Sequence, residues 1–156
     1  MTCTFLDFSR FNHPDFPDMM IQYIVELGDQ TPENDLRQKL LPFIEKQLNA
    51  GIIRIALAIA DGALAGFSVY QIDTQESDWC KRPGWGFIRE FYVCPKYRSC
   101  GIGMQLAKHT EQLLRKMGAN QLYLTSGPAV PFWERCGWSN THEQCSNDLS
   151  ILVKRI

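Results

Sequence analysis

The chain has 156 residues, of which 45% are hydrophobic and 21% are charged. This length and composition are sufficient for one folded domain over residues 1–156, and they exclude a disordered tail, a collagen-like rod and a highly charged linker protein. Sixteen Lys and Arg residues oppose seventeen Asp and Glu residues, giving a formal charge of −1, so we expect neither nucleic acid nor a membrane surface as a partner.

The first elements are a short strand and two helices. The strand is predicted from Phe5, Leu6 and Phe8, and helical spacing of apolar residues predicts a helix over residues 14–27 that Gly28 ends. Thr31 as the N-cap with Pro32 as the first helical residue predicts the start of a second helix. Pro42 is expected to kink this helix, because proline lacks the N–H that continues the hydrogen-bond ladder.

The central part of the sequence predicts three long strands. Runs of β-branched and apolar residues at 52–60 and 63–72 flank Asp61-Gly62, a dipeptide that accepts the positive φ angles of a type I′ hairpin turn. A polar loop over residues 73–84 follows. The third strand covers residues 85–93 and is ended by Pro95.

The remaining elements complete a mixed sheet. A helix at 101–117, a strand at 121–125, a short helix at 129–136 and a last strand at 148–155 are predicted from periodicity. The strand–helix–strand order makes a right-handed crossover, so the strands at 85–93 and 121–125 are expected to be parallel. The predicted fold class is α/β (α+β), with a mixed, mostly antiparallel central sheet and about four flanking helices.

The chain also contains signals about its compartment and about metals. Its N-terminus, MTCTFLDFSR, lacks a basic start followed by an apolar run, and the apolar stretch 55–60 is far shorter than the ~20 residues that span a bilayer. The six cysteines show no C-x-x-C pair, and His13, His109 and His142 are scattered without metal-ligand spacing. We therefore expect reduced thiols, a cytoplasmic protein and no bound metal.

The segment RSCGIG lies between a predicted strand and a predicted helix. Its glycines let backbone amides face a concave loop, and the partial positive charge of the helix N-terminus favours phosphate oxygens. On its own the segment is equally typical of a plain strand-to-helix turn. A P-loop would have Lys and then Ser or Thr where Met104 and Gln105 stand, and a dinucleotide fingerprint would have Gly or Ala where Leu106 stands.

Two longer segments resemble the GCN5-related N-acetyltransferase (GNAT) superfamily. FYVCPKYRSCGIG (91–103) is similar to the family's fourth strand and its acetyl-CoA pyrophosphate loop, Q/R-x-x-G-x-G/A. SGPAVPFWERCGW (126–138) is similar to the family's N-x-x-A-x-x-F-Y-E-K-x-G-F stretch after strand five. The resemblance is densest over 87–138, about a third of the chain, and it implies the acyl-CoA N-acyltransferase fold, in which the parallel strands separate around acetyl-CoA.

The resemblance also implies a cofactor site. The pantetheine arm would pair with the strand edge at Phe91, Tyr92 and Val93, and an amide of Tyr92 or Val93 would stabilise the oxyanion. The pyrophosphate would bind the main chain of the loop and the first helical residues, namely Arg98, Ser99, Cys100, Gly101, Ile102, Gly103 and Met104. Further cofactor contacts are implied for Ser126, Phe132 and Trp133.

Two of these positions depart from the family pattern. Ser126 stands where the family has Asn, which weakens one polar contact to the cofactor arm. Trp133 stands where the family has a Tyr that protonates the leaving thiolate, and an indole N–H is a very poor acid. The general acid is therefore unidentified.

Glu90 is the candidate general base. It lies in a strand of otherwise apolar and aromatic residues, where a partly desolvated carboxylate is a stronger base. The alternative is a solvent-facing residue of the sheet that pairs with Arg89 or with a neighbouring strand. The acidic and aromatic residues of the loop, Asp73, Glu76, Asp78 and Trp79, would suit a cationic amine acceptor.

The resemblance implies an acetyl-CoA-dependent N-acetyltransferase that moves an acetyl group directly to a primary amine of a small molecule or peptide. Its partners would be acetyl-CoA and an amine acceptor that the sequence does not identify. One alternative is a non-catalytic acetyl-CoA-binding or protein-interaction module of the same fold, and another is a nucleotide-binding regulator. The sequence leaves the oligomeric state open, a homodimer included.

Overall fold

The computed structural model describes residues 2–8, 13–77, 82–145 and 147–156. The strands are β1 (Cys3–Phe8), β2 (Arg54–Ala60), β3 (Ala63–Ile72), β4 (Gly86–Val93), β5 (Gln121–Ser126), β6 (Ser139–Gln144) and β7 (Ser150–Arg155). The helices are α1 (Phe16–Glu26), α2 (Glu33–Asp35), α3 (Leu41–Asn49), α4 (Ile102–Lys116) and α5 (Val130–Arg135). Of the helices in these ranges, none is long and apolar enough to cross a membrane.

The strands form one sheet in the order β1-β2-β3-β4-β5-β7-β6. The β4–β5 pair is parallel, and its register joins Gly86 to Leu122 and Phe87 to Tyr123. The pairs β1–β2, β5–β7 and β6–β7 are antiparallel. The predicted fold class, a mostly antiparallel mixed sheet with one parallel pair, is therefore confirmed, and the parallel pair is the one that the crossover rule predicts.

By internal contacts the chain divides into two compact units. The first comprises Met1–Val69 and Phe91–Leu106. Its core packs aromatic residues of α1 on β3 and β4: ring centroids lie 5.2 Å apart for Phe16 and Phe67, and 5.5 Å apart for Tyr23 and Tyr92. These rings are at most 8% exposed, so burial of aromatic surface fixes α1 against the end of β4.

The second unit comprises Tyr70–Glu90 and Ala107–Ile156. The rings of Phe87 and Tyr123 stack with centroids 4.5 Å apart. On the outer strands, β6 pairs with β7 through a register shift between Asn140 and Gln144. His142 lies inside this irregular stretch with a φ of 61°, so the edge strand is bent and not flat.

An ion pair with little solvent exposure also stabilises the second unit. The Nζ of Lys154 lies 2.7 Å from Oε1 of Glu111, whose side chain is only 9% exposed. Oε2 of the same carboxylate accepts a hydrogen bond from the indole N–H of Trp138 at 3.1 Å, and Lys154 also donates to the carbonyl oxygen of Cys136 at 2.9 Å. Both carboxylate oxygens are thereby satisfied, as a buried charge requires.

The structure confirms the predicted hairpin turn and corrects the second helix. Asp61 and Gly62 both have positive φ, 50° and 83°, as a type I′ turn requires. The expectation that Thr31 is the N-cap is wrong, because Pro32 occupies that position and helix α2 begins at Glu33.

The distortion expected at Pro42 is a π-helical turn over Leu36–Leu40. There the N–H of Leu41 donates to the carbonyl oxygen of Leu36, five residues earlier. The wider turn shifts the hydrogen-bond ladder just before Pro42, which has no N–H to contribute and whose ring would crowd a regular turn.

The sequence did not predict β6. Its residues, SNTHEQ, are all polar and mostly exposed, so they carry no alternation of apolar and polar residues. Because β6 buries little surface of its own, its pairing with β7 specifies it as a strand.

Candidate active site

The predicted phosphate loop is an exposed turn between β4 and α4, within the first unit. After Val93 the chain makes one turn of 3-10 helix at Pro95–Tyr97, and α4 begins at Ile102. Ser99 and Gly101 have φ angles of 63° and 82°, so two of the residues preceding the helix adopt the left-handed conformation. Because the first four N–H groups of a helix have no partner within it, the 15-residue helix α4 directs amides and partial positive charge toward this turn.

Arg98, the first residue of the loop, is fixed by three contacts. Its Nε donates to the carbonyl oxygen of Val93 at 2.8 Å, and its Nη2 pairs with Oε2 of Glu26 at 2.6 Å. Its guanidinium carbon lies 5.4 Å from the centroid of the Tyr92 ring, a cation–π distance. The start of the loop is therefore attached to the end of β4 and to the last residue of α1.

Glu26 connects this arrangement to Tyr92, since its second oxygen, Oε1, accepts a hydrogen bond from the Tyr92 hydroxyl at 3.2 Å. Burial of the phenol, and then the neighbouring Glu26 carboxylate, raise the pKa of Tyr92 to about 12. Sequence reasoning missed Glu26, which precedes Arg98 by 72 residues and belongs to no motif.

The backbone of β4 is closely packed where the oxyanion contact is predicted. A Cβ added at Gly66 on β3 would overlap the carbonyl oxygen of Tyr92 and would lie 3.1 Å from Cα of Val93. The amide of Cys94 donates to the carbonyl oxygen of Ala65 at 2.8 Å. The absence of a side chain at Gly66 therefore allows β3 to approach Tyr92 and Val93 directly.

Glu90 lies in the second unit, where it is half-buried. Its neighbour Arg89 donates from Nη1 to Oε1 of Gln71 at 3.0 Å. Burial lowers the pKa of Arg89, and the nearby carboxylates of Glu90 and Asp73 oppose that shift. Glu90 is thus close enough to Arg89 to stabilise its charge, and the role of Glu90 as a base stays a prediction.

Asp73 has a structural role that the sequence did not suggest. It is 2% exposed, and its carboxylate accepts hydrogen bonds from the amide of Thr74 at 3.1 Å, from the amide of Arg82 at 3.3 Å and from the hydroxyl of Tyr123. The expectation that Asp73 presents its charge to an amine is therefore wrong, because the carboxylate anchors its own loop to β5. Glu76 is exposed, whereas Asp78 and Trp79 lie outside the described residues.

The remaining predicted cofactor contacts also lie in the second unit. Ser126 is buried at the end of β5, where it pairs with Ser150 of β7. Trp133 is 4% exposed and packs against Phe132 and Trp138, with ring centroids 5.0 and 5.5 Å away. Trp133 is therefore a core residue of this unit, and the cofactor roles of all three positions remain predictions.

Within the part of the chain that the structure describes, no group of three His, Cys, Asp or Glu side chains could hold a metal ion. Five cysteines in that part are free thiols; Cys80 lies outside it. Cys100, in the loop, is exposed, whereas burial raises the pKa of Cys136.

Comparison with known proteins identifies the family. The model of the Acetyltransferase (GNAT) family matches residues 18–138, a range that includes β2 to β5, the loop and both segments that carry the resemblance. The chain therefore belongs to the GNAT family of acetyltransferases.

Individual relatives agree with this assignment. The chain is 33% identical over 84 residues to a streptothricin acetyltransferase from Streptomyces lavendulae, a match that covers 51% of this chain and 41% of the relative. The chain thus spans about two fifths of the length of the curated relative that it matches.

Solved structures show the same fold. The PaiA N-acetyltransferase from Thermoplasma acidophilum, determined in complex with coenzyme A, superposes with a TM-score of 0.70 at 17% identity over 100% of both chains. The N-acetylglutamate synthase from Neisseria gonorrhoeae, complexed with coenzyme A and N-acetyl-glutamate, gives a TM-score of 0.67 at 18% identity, covering 99% of this chain and 35% of that one.

Proposed function

We propose that this protein is an acetyl-CoA-dependent N-acetyltransferase, with residues 1–156 acting as one catalytic domain, and that it transfers the acetyl group directly to a primary amine. One observation carries the proposal: in a member of the GNAT family, an exposed loop with left-handed Ser99 and Gly101 joins the end of β4 to the first turn of α4. That conformation suits the binding of a diphosphate by main-chain amides.

The loop and β4 would bind and orient the donor. The Arg98 amide already donates to the carbonyl oxygen of Pro95 at 3.2 Å, so the amides from Ser99 to Met104 would hold the diphosphate. The edge of β4 from Phe91 to Val93 would pair with the pantetheine arm as an added strand does. The amide of Tyr92 or Val93 would donate to the thioester oxygen, and a single such donor contributes a few kcal/mol to transition-state stabilisation. Acetyl-CoA itself supplies the activated acetyl group.

Glu90 would accept the proton of the acceptor ammonium, directly or through a water, so that the neutral amine can attack. The new C–N bond forms at the acetyl carbonyl carbon, the C–S bond breaks as the tetrahedral intermediate collapses, and the nitrogen releases its second proton to water. Because Trp133 is buried and its indole N–H is a very poor acid, the thiolate would take its proton from water. An ordinary thiol pKa of about 8.5 makes the thiolate an acceptable leaving group.

The acceptor is a primary amine of a small molecule or peptide. The similarity to a streptothricin acetyltransferase makes streptothricin the first acceptor to test, beside polyamines, aromatic amines and peptide amines. We place the protein in the cytoplasm, a compartment that keeps the described free cysteines reduced.

The donor half of the proposal is tested by thermal unfolding with ligands. Acetyl-CoA at about a hundredfold its dissociation constant should stabilise the protein by ~2.7 kcal/mol. ATP and NAD⁺ should not, and equal stabilisation by these nucleotides would favour a nucleotide-binding regulator instead.

A pair of glycine variants tests the loop. Gly101→Val and Gly28→Val both place a β-branched residue at a left-handed position, with φ of +82° and +87°, and neither added Cβ would meet an atom closer than 3.7 Å. Both should lose stability by a similar amount, of order 1–3 kcal/mol. Only Gly101→Val should lose affinity for coenzyme A, and retained affinity in that variant would contradict the assignment of the loop.

The buried Trp133 favours one second candidate, a non-catalytic module that binds acetyl-CoA or a partner protein without turnover. Release of coenzyme A discriminates the two functions. An enzyme releases the thiol faster when an acceptor amine is present, whereas a binding module shows the same slow rate with every acceptor in the panel.

A further inference from the structure

We propose that Glu26 is a positioning residue for the donor loop, acting through Arg98. Its carboxylate holds the guanidinium against the end of β4 and so keeps residues 98–103 in the conformation that binds a diphosphate. This inference rests on the proposed function, and it adds a residue of α1 to a donor loop that the family motif places between β4 and α4.

The geometry gives Glu26 two simultaneous contacts. As the last residue of α1, it pairs with Arg98 at 2.6 Å through one oxygen and accepts from the Tyr92 hydroxyl at 3.2 Å through the other. Charge-assisted hydrogen bonds of this length are about twice as strong as neutral ones. One carboxylate therefore joins α1, the end of β4 and the first residue of the loop.

The loop needs such an anchor because its conformation is not intrinsically favoured. Ser99 has a φ of 63°, and a left-handed conformation at a residue other than glycine costs roughly 1–2 kcal/mol. On the helical side the chain is fixed by Ile102, which is 1% exposed. On the strand side the loop is fixed at Arg98. Without Glu26 we expect the loop to relax, so that ordering it on binding reduces the affinity for the ligand.

Electrostatics alone favours the opposite effect, tighter binding of the diphosphate without Glu26, since Glu26 neutralises the cation of Arg98. The structure argues against it: the guanidinium is already directed back to the carbonyl oxygen of Val93 and over the Tyr92 ring, whereas the loop amides belong to Ser99 and the residues that follow. Removing Glu26 therefore takes away one of the three contacts that fix Arg98 and so loosens the loop, whereas the two remaining contacts keep the guanidinium directed away from the loop amides.

The test measures coenzyme A affinity by titration calorimetry for the wild type, Glu26→Gln and Glu45→Gln. Glu45 is an exposed residue of α3, so its variant removes the same charge from the same unit. Because the Glu26–Arg98 pair is partly exposed, at 40% and 47%, we expect affinity to fall about three- to fivefold in Glu26→Gln and to change less than about twofold in Glu45→Gln.

A double variant separates positioning from a general structural effect. In an Arg98→Met background, Glu26→Gln should cause no further loss of affinity, because the residue through which it acts is gone. A residue that merely stabilises the fold would lower affinity by the same factor in both backgrounds.

The outcomes distinguish the two proposals. A wild-type protein that fails to bind coenzyme A overturns the proposed function and this inference with it. A wild type that binds, together with unchanged or tighter binding by Glu26→Gln, or with an equal loss in the Arg98→Met background, overturns the role of Glu26 alone.

Discussion

Replacing Gly66 with alanine tests how closely β3 must lie against the end of β4. The added Cβ would overlap the carbonyl oxygen of Tyr92 and would lie 3.3 Å from its carbonyl carbon and 3.1 Å from Cα of Val93. All three are backbone atoms, so no change of side-chain rotamer relieves the overlap. The two strands must separate locally, which stretches the 2.8 Å hydrogen bond between the Cys94 amide and the Ala65 carbonyl.

The magnitude follows from three contributions. Overpacking by one methyl group costs ~1–3 kcal/mol, and weakening one backbone hydrogen bond costs about 1 kcal/mol. Alanine has a smaller backbone entropy than glycine in the unfolded chain, and this difference offsets roughly 0.5–1 kcal/mol of the cost. We therefore expect Gly66→Ala to lower the free energy of unfolding by about 2 kcal/mol. Since it displaces the amides of Tyr92 and Val93, kcat should fall by about tenfold or more.

Urea denaturation and steady-state acetyl transfer measure the two effects. The stability control is Gly127→Ala, whose added Cβ would meet only the end of the flexible Leu149 side chain, at 3.1 Å, and should cost less than about 1 kcal/mol. The reasoning is refuted if Gly66→Ala unfolds at the wild-type urea midpoint with an unchanged m value and retains the wild-type kcat.

Three other predictions concern buried and exposed groups. Glu111→Gln should lower the free energy of unfolding, measured in urea, by about 2 kcal/mol, because the Lys154 ammonium loses its carboxylate partner; adding Lys154→Met should recover part of that loss. The pKa of Tyr92 is raised to about 12, so the stability that this shift contributes is present below about pH 10 and is lost between pH 10 and 12; Tyr92→Phe should show a smaller loss of stability across that window. Iodoacetamide should modify the exposed Cys100 before Cys136, whose pKa burial raises, as peptide mass spectrometry would show.

Local signals in the sequence were sufficient for most of the fold. Asp61-Gly62 predicted the hairpin because the turn type depends on two adjacent residues, and the parallel pair followed from the crossover rule. The polar strand β6 escaped prediction because pairing with β7, and not its own pattern, specifies it. The π-helical turn before Pro42 was not predicted, because a proline indicates that a helix is distorted but does not indicate the kind of distortion.

In the candidate site, the sequence predicted the parts that are continuous motifs and did not predict contacts between residues that are distant in the chain. The loop from Arg98 to Gly103 is such a motif. Ser99 and Gly101 in it are left-handed, and its role in binding a diphosphate stays a proposal. The partners of Arg98 and Asp73 are distant: Glu26 is 72 residues from Arg98, and Tyr123 is 50 residues from Asp73. A single sequence gives no signal that such residues meet. It therefore does not distinguish a carboxylate that is held by a distant partner, as Asp73 is, from an exposed carboxylate that can bind an amine.

The irregular pairing of β6 affects how the protein behaves at high concentration. A straight terminal strand offers its unpaired N–H and C=O groups to any other chain, which is a common route to aggregation. Here the shift between Asn140 and Gln144, with a left-handed residue at His142, breaks the regular spacing of those groups. On that side of the sheet the bend therefore opposes the addition of a strand from a second molecule in continuous register.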